Sequence, residues 1–172
     1  MRDGYCSSPA HPVRRTKHGG ADMNRWLSPP VAFAAAVVAM WCIGSNVEFG
    51  RYSFGYQAPL GIALIVLGLG IVAVSIRSFV VAGTTPSPTQ PKNACQLVTS
   101  GVYALLRNPM YVGDAVMLAG IAVWIGSVLN LVLIAAFVWY IDRFQIAAEE
   151  EALAEIFGNR YVTYRGKVRR WL

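Results

Sequence analysis

Two clusters in this chain hold residue types that could do chemistry. One is Arg107-Asn108-Pro109-Met110-Tyr111-Val112-Gly113; the other is Glu149-Glu150-Glu151. In the first, a residue before proline avoids the helical region, asparagine is a good N-cap, and proline is favoured at the first helical position. The order Asn108-Pro109 therefore predicts a helix that starts at Pro109 and is capped by Asn108. Its free N–H groups, the positive end of its dipole and Arg107 beside them offer a seat for a carboxylate or a phosphate. A capped helix next to an interfacial arginine, with no ligand, accounts for the same residues more plainly. Tyr111 and Asp114 are spaced to share one face of that helix. An ionisable Asp114 just inside an apolar run is costly, and such groups are more often functional or paired than idle. In the second cluster, adjacent acids need either solvent or a cation. An ammonium, a sulfonium or ribose hydroxyls would suit Glu149 and Glu150, and the downstream rings of Tyr161 and Tyr164 would reinforce cation binding.

Each cluster adjoins an apolar block, and the blocks are the elements that must position them. Of 172 residues, 55% are hydrophobic and 14% charged, against about a quarter charged in soluble domains. The apolar residues are concentrated in blocks rather than spread with an amphipathic period, which is the pattern of membrane spans. Four spans are read: Pro30 to Val47, Pro59 to Ile76, Pro109 to Gly126, and Val128 to Ile141, the last gaining length through Asp142 and Arg143. Gly126-Ser127 is the turn between the third and fourth, which makes them a tight helical hairpin. Ala115 and Ala119 could admit close packing of another helix. The expected fold is an all-α membrane protein with about four transmembrane helices (30–47, 59–76, 109–126 and 128–143). A linker over 77–108 and an amphipathic helical tail over 144–172 complete a single domain, 23–172. In the tail, Leu153, Ile156 and Phe157 follow helical spacing, and Gly158-Asn159 reads as a helix end.

The formal net charge is +6. In a soluble chain this could point to nucleic acid. Here the basic residues flank the apolar blocks, so orientation in the bilayer explains them and no nucleic-acid partner is expected. The N-terminal segment holds Arg2, Arg14, Arg15, Lys17 and Arg25; the linker holds Arg77, Lys92 and Arg107; the tail holds Arg143, Arg160, Arg165, Lys167, Arg169 and Arg170. The loop between the first two spans holds Arg51 alone, and the hairpin turn holds no basic residue. The positive-inside rule then places both termini and the linker in the cytoplasm of a bacterial-type inner or plasma membrane. The basic tail would lie on anionic lipid. Residues 1–22 are polar and aperiodic and are expected to be disordered, with Met23 a natural alternative start. Cys6, Cys42 and Cys95 show no paired spacing, and His11 and His18 both lie near the N-terminus, so neither a disulfide nor a Cys/His metal site is expected. The segment Gly83-Thr84-Thr85-Pro86 through Pro88 and Pro91 to Asn93 cannot be regular helix. It is either a spacer or a loop that closes over a site with Thr84, Thr85 and Thr99.

Taken together, several stretches resemble the superfamily of isoprenylcysteine carboxyl methyltransferases and phospholipid N-methyltransferases. They are Gly83-Thr-Thr with its following prolines, Leu97-Val-Thr-x-Gly101-x-Tyr103, Arg107-Asn-Pro-Met-Tyr111-x-Gly113, and Glu149-Glu150-x-x-Leu153-x-x-x-Phe157-Gly158-x-x-Tyr161-x-x-Tyr164-x-x-x-Val168-x-Arg170-Trp171. The resemblance runs from about Phe79 to the C-terminus. It implies a polytopic membrane enzyme that uses S-adenosylmethionine on the cytoplasmic side and takes a lipophilic acceptor from the bilayer. Carried over by motif position, Arg107, Asn108, Pro109, Tyr111 and Gly113 would line the cofactor, with Glu149 and Glu150 opposite and Tyr161 and Tyr164 closing the site. Arg107, Asp114 and Glu150 are the candidates for a catalytic role. Many members carry histidine where Asn108 stands. Asparagine cannot titrate near neutral pH, so catalysis by proximity and orientation is expected, which favours acid or thiol acceptors over amines. Oligomeric state is not readable.

Two rival readings stand beside this one. Membrane sterol and steroid reductases share an Arg-x-Pro-x-Tyr helix start and a Gly-x-x-Tyr tail but use a nicotinamide cofactor; the Glu149-Glu150-x-x-Leu153 element fits the methyltransferases better. A non-enzymatic four-helix membrane scaffold would need none of the clustered polar residues.

Overall fold

The computed structural model describes residues 28–83 and 96–171. The expectations for residues 1–22, for Met23 and for the proline-rich part of the linker lie outside the described residues. Helix α1 spans Pro29–Asn46 and opens on two prolines, where a missing N–H costs nothing. Helix α2 spans Gln57–Val81. A 3-10 turn over Gly101–Ala104 precedes α3, Pro109–Ile125. Then come α4 (Asn130–Tyr140), a π-helical segment (Ile141–Ile146), α5 (Ala147–Phe157) and α6 (Asn159–Lys167). Among the described residues there is no β-strand, only the isolated bridges Arg51 to Ser127 and Leu106 to Arg169.

Among the described residues, three helical stretches are long and apolar enough to cross a membrane: Pro29–Asn46, Gln57–Val81 and the continuous run Asn130–Phe157. Helix α3, 17 residues and equally apolar, is shorter. The chain is thus an all-helical integral membrane protein. Two expected boundaries are corrected. Helix α2 does not stop at Ile76 but continues to Val81, because no proline or glycine interrupts Arg77-Ser78-Phe79-Val80. The fourth helix starts at Asn130 rather than Val128 and does not end at Arg143. It passes through one π-helical turn and continues to Phe157, so the tail from 144 begins as an unbroken extension of the span.

Helices α2 and α3 run antiparallel at very close range, and glycines make this possible. A Cβ on Gly68 would sit 2.6 Å from the Gly113 carbonyl oxygen, and one on Gly120 would sit 2.7 Å from that of Gly61. Where lipid supplies no hydrophobic drive between helices, such backbone approach gains van der Waals packing that larger residues forbid. The close approach falls on these glycines. The core of Met40, Leu118, Phe137, Ile141 and Ile146 lies where α1 and α4 meet α3, with Phe33 edge-on to Phe137 at 6.2 Å between ring centres.

The two ends of the bundle differ. At one, Gly126 (φ 73°) ends α3 in the left-handed region. The loop after α1 closes on this turn through Tyr52 N–H to the Gly126 carbonyl and Val128 N–H to the Gly50 carbonyl, both 2.9 Å. At the other end the start of α3, the 3-10 turn, α5 and α6 converge, tied by the chain's C-terminal segment through Arg107 N–H to the Arg169 carbonyl, 2.9 Å.

Candidate functional site

At that second end lies a cavity of about 420 Å³, within the range that holds a small-molecule ligand. Its polar wall comes from the start of α3 (Arg107, Asn108, Tyr111), from α5 (Glu149, Glu150, Leu153) and from α6 (Tyr161, Tyr164). Its apolar wall comes from Pro29, Pro30 and Phe33 of α1 and Val72 and Phe79 of α2, with Asp114 and Met110 on α3 between. The two clusters read from the sequence thus meet in one site. Two expected members do not line it. Pro109 is buried at the helix start and Gly113 is turned toward α2, where a Cβ would meet the Gly68 carbonyl at 2.8 Å. Their part is to shape the helix that carries the others.

The geometry changes the expected roles of several side chains. Asn108 occupies the N-cap position of α3, yet its side chain makes no capping bond. Its amide instead donates to the Arg170 carbonyl at 3.3 Å, which fastens the C-terminal segment over the helix start. Arg107 Nη1 stands 2.9 Å from Glu150 Oε1, with both side chains about nine-tenths buried. Arg107 Nε is buried with no hydrogen-bond partner among the described residues. Arg170 is not laid out on lipid. Its Nη2 donates to Glu150 Oε2 at 2.6 Å, its Nε to Glu150 Oε1 at 3.2 Å, and its Nη1 to Asp142 at 3.3 Å. Hydrogen bonding to Glu150 is the main cause that raises the Arg170 guanidinium further above its ordinary range. Trp171 Nε1 donates to Asp142 Oδ1 at 2.7 Å. Glu150 is therefore held between two arginines, while Glu151 is exposed.

Glu149 accepts from the Tyr111 hydroxyl and from Gln145 Nε2, both at 2.6 Å. The π-helical turn just before α5 interrupts the α-helical register, and around it Asp142 meets Arg170 and Trp171, Gln145 meets Glu149, and Glu150 meets Arg107 and Arg170. Such turns often mark functional sites. On α6, Gly158 (φ 53°) lets the chain turn sharply after α5, which brings Tyr161 and Tyr164 over the cavity with ring centres 6.2 Å apart. Tyr164 donates to the Tyr103 carbonyl at 2.6 Å. Burial, then Tyr161, pushes the Tyr164 hydroxyl up to about 12, so it remains a protonated donor at neutral pH. Burial also raises Tyr161 and Tyr103, with Glu150 adding to the first and Tyr164 to the second. From the sequence, Tyr103 is only a motif position and Asp142 only an extension of the fourth span, neither with a role at the site, and Gln145 is not read at all. Asp142, an acid at the end of an apolar block, was the available signal; Gln145 depends on the π-helical register, which no residue type announces.

Fold and site together define an all-helical membrane protein with a cavity at one end of its bundle, half acidic and aromatic, half apolar. Residues 56–160 match the family described as phospholipid methyltransferase, and the chain belongs to that family. It is similar to the protein-S-isoprenylcysteine O-methyltransferase of Schizosaccharomyces pombe (36% identity, 42% of this chain and 30% of that protein). It is also similar to protein-S-isoprenylcysteine O-methyltransferase B of Arabidopsis thaliana (29%, 83% and 73%) and to the mouse enzyme of the same name (39%, 42% and 25%). The chain thus spans under a third of the yeast and mouse relatives and about three quarters of the plant one. No solved structure matches it.

Proposed function

We propose that this protein is an S-adenosylmethionine-dependent methyltransferase that acts on a lipophilic acceptor at the cytoplasmic face of the membrane. The observation that carries the reading is the cavity that joins Arg107, Tyr111, Glu149, Glu150, Tyr161 and Tyr164 to an apolar wall built by α1 and α2. The residues fit the donor on their chemistry. The Nε of Arg107, which has no hydrogen-bond partner among the described residues, suits a carboxylate, and the acids and tyrosine rings suit ammonium, sulfonium and ribose hydroxyls. When bound, this cofactor supplies an electrophilic methyl group on sulfur. The chain's own residues hold, orient and exclude water. Arg107 and Glu150 fix the start of α3 against α5, Tyr111 and Gln145 fix Glu149, and Tyr161 and Tyr164 cover the cavity. With asparagine at 108, rate enhancement comes from placing acceptor and methyl in line. Four spans with both termini in the cytoplasm complete the reading, α3 crossing alongside α2. Arg51 stands at the end of the bundle opposite Arg107 and Arg170, as positive-inside orientation asks.

The test is incubation of the purified protein with labelled S-adenosylmethionine and a membrane lipid extract, followed by mass spectrometry of the labelled product. Transfer to a lipid-soluble acceptor is expected. Saturable binding of NADPH without binding of S-adenosylmethionine would replace this reading with a reductase.

A further inference from the structure

The fold divides the basic tail in two. Arg170 is drawn inward onto Glu150 and Asp142. Arg160, Arg165, Lys167 and Arg169 stay exposed and make no ion pair among the described residues. Backbone contacts fix the level of these four. Helix α3 has 17 residues, roughly 26 Å at the helical rise, close to the hydrocarbon thickness of about 30 Å. With α3 crossing alongside α2, Arg107 stands at the membrane surface. Its N–H bond to the Arg169 carbonyl puts Arg169 at the same level, and its ion pair does so for Glu150. Helix α5 continues from Glu150 to Phe157, roughly 10 Å farther from the bilayer. After the turn at Gly158, α6 brings the chain back to Arg169. Arg165, Lys167 and Arg169 therefore gather at the membrane end of α6. Of the exposed acids of α5, Glu151 and Glu155, the second stands near the far end. Leu105 is 75% exposed and adjoins Leu106, which is bridged to Arg169. Cations beside an exposed apolar side chain suit a bilayer interface; a soluble polyanion would meet the cations and leave Leu105 in water.

We propose that anionic phospholipid head groups dock on Arg165, Lys167 and Arg169, with Leu105 in the acyl boundary, and that this contact holds α6 closed over the cavity. Helix α6 carries Tyr161 and Tyr164 across the opening, and Tyr164 reaches the Tyr103 carbonyl only when α6 is down. Arg169 adjoins Arg170, which grips Glu150. Lifting α6 would withdraw its cations from the leaflet, so a negative surface favours the closed cover by mass action. The lipid thereby regulates access to the cavity. That the covered cavity holds a methyl donor rests on the methyltransferase reading above; the lipid contact does not.

The test is amide hydrogen exchange of the full chain without cofactor, in nanodiscs of phosphatidylcholine alone or with about 30 mol% phosphatidylglycerol. The anionic lipid is expected to slow exchange across 159–167 at least about fivefold, and high salt to shrink the difference. Lys167→Gln should remove part of the effect. The combined variant Arg165→Gln, Lys167→Gln and Arg169→Gln should remove nearly all of it, while exchanging like the wild type in phosphatidylcholine alone. Equal exchange of the wild type in the two lipids overturns the proposal without recourse to any variant. A lipid effect undiminished in the combined variant overturns it as well. Inorganic phosphate that gives the same protection in phosphatidylcholine would assign the patch to a soluble anion and overturn the lipid. S-adenosylmethionine binding is measured in parallel. Its absence in the wild type would sink the methyltransferase reading while the lipid effect is still read out directly.

Discussion

Arg107 Nη1 sits 2.9 Å from Glu150 Oε1, and this contact locks the second residue before α3 to the first turn of α5. Arg170 closes on the same carboxylate from the C-terminal side. Removing one member of a buried pair strands the other's charge, at a cost of about 3–5 kcal/mol. Glu150→Ala is therefore expected to lower thermal stability in detergent markedly, and Glu150→Gln to keep the inserted fold but lose S-adenosylmethionine binding by at least about tenfold. Near-native affinity in both Glu150→Gln and Arg107→Ala would remove the pair from the site.

Tyr111 and Gln145 are the two donors that satisfy Glu149. Tyr111→Phe deletes one while keeping the ring. A hydrogen bond to a charged group contributes about 1.5–3 kcal/mol, so cofactor affinity should fall by roughly ten- to a hundredfold. Calorimetric titration checks it, and an unchanged dissociation constant would mean that Glu149 is not oriented through Tyr111.

The glycine contact between α2 and α3 makes a graded prediction. Gly113→Ala and Gly68→Ala each drive a methyl against backbone, at 2.8 and 2.6 Å from the facing carbonyl oxygen. Overpacking of this kind costs about 1–3 kcal/mol. At Gly70 nothing lies within 4 Å, so Gly70→Ala should be neutral or stabilising by up to about 1 kcal/mol. Thermal unfolding of the three variants in one detergent gives the ranking; Gly70→Ala as the most damaging would contradict the packing.

Alkaline pH should loosen the cover over the cavity. The Tyr164 hydroxyl is raised in the folded protein to about 12, from an ordinary value near 10. A group raised on folding contributes stability that is complete below its unfolded pKa and is lost as pH climbs through the folded one. The loss should therefore appear between pH 10 and about 12, and Tyr164→Phe should remove part of it. Melting temperatures measured across this range decide, and a wild-type profile identical to that of Tyr164→Phe would exclude the contribution.

Orientation is testable with single cysteines in a background where Cys6, Cys42 and Cys95 are serine. Phe49 and Glu155 are both exposed, at opposite ends of the bundle. Phe49→Cys should react with a membrane-impermeant maleimide in intact cells, and Glu155→Cys only after permeabilisation. The reverse pattern would invert the topology.

Much of this was legible in the chain because it depends on local chemistry. The Asn108-Pro109 start and the Gly126 end of α3 are set by backbone sterics, and the observed helix keeps both. The start of α1 at Pro29-Pro30 follows the same rule. The apolar blocks announce a membrane protein because lipid-exposed segments must be apolar wherever they pack. Motif spacing placed Arg107, Tyr111, Glu149, Glu150, Tyr161 and Tyr164, and all six line one cavity.

What local chemistry could not decide was who partners whom. Asn108 has the type and position of a capping side chain, yet its amide serves Arg170, because only the folded C-terminal segment brings that carbonyl within reach. Arg170 reads as one more basic tail residue until Asp142 and Glu150, on another helix, compete for it against solvent and lipid. Gly113 belongs to a site motif by spacing but is spent on the contact with Gly68, which requires the register of α2 against α3. The start and end of α3, the apolar blocks and the motif spacing were therefore determined by the sequence alone, since each depends on neighbours along the chain. The pairing of charges and the π-helical register were decided by tertiary structure, since each depends on which distant groups desolvation forces together.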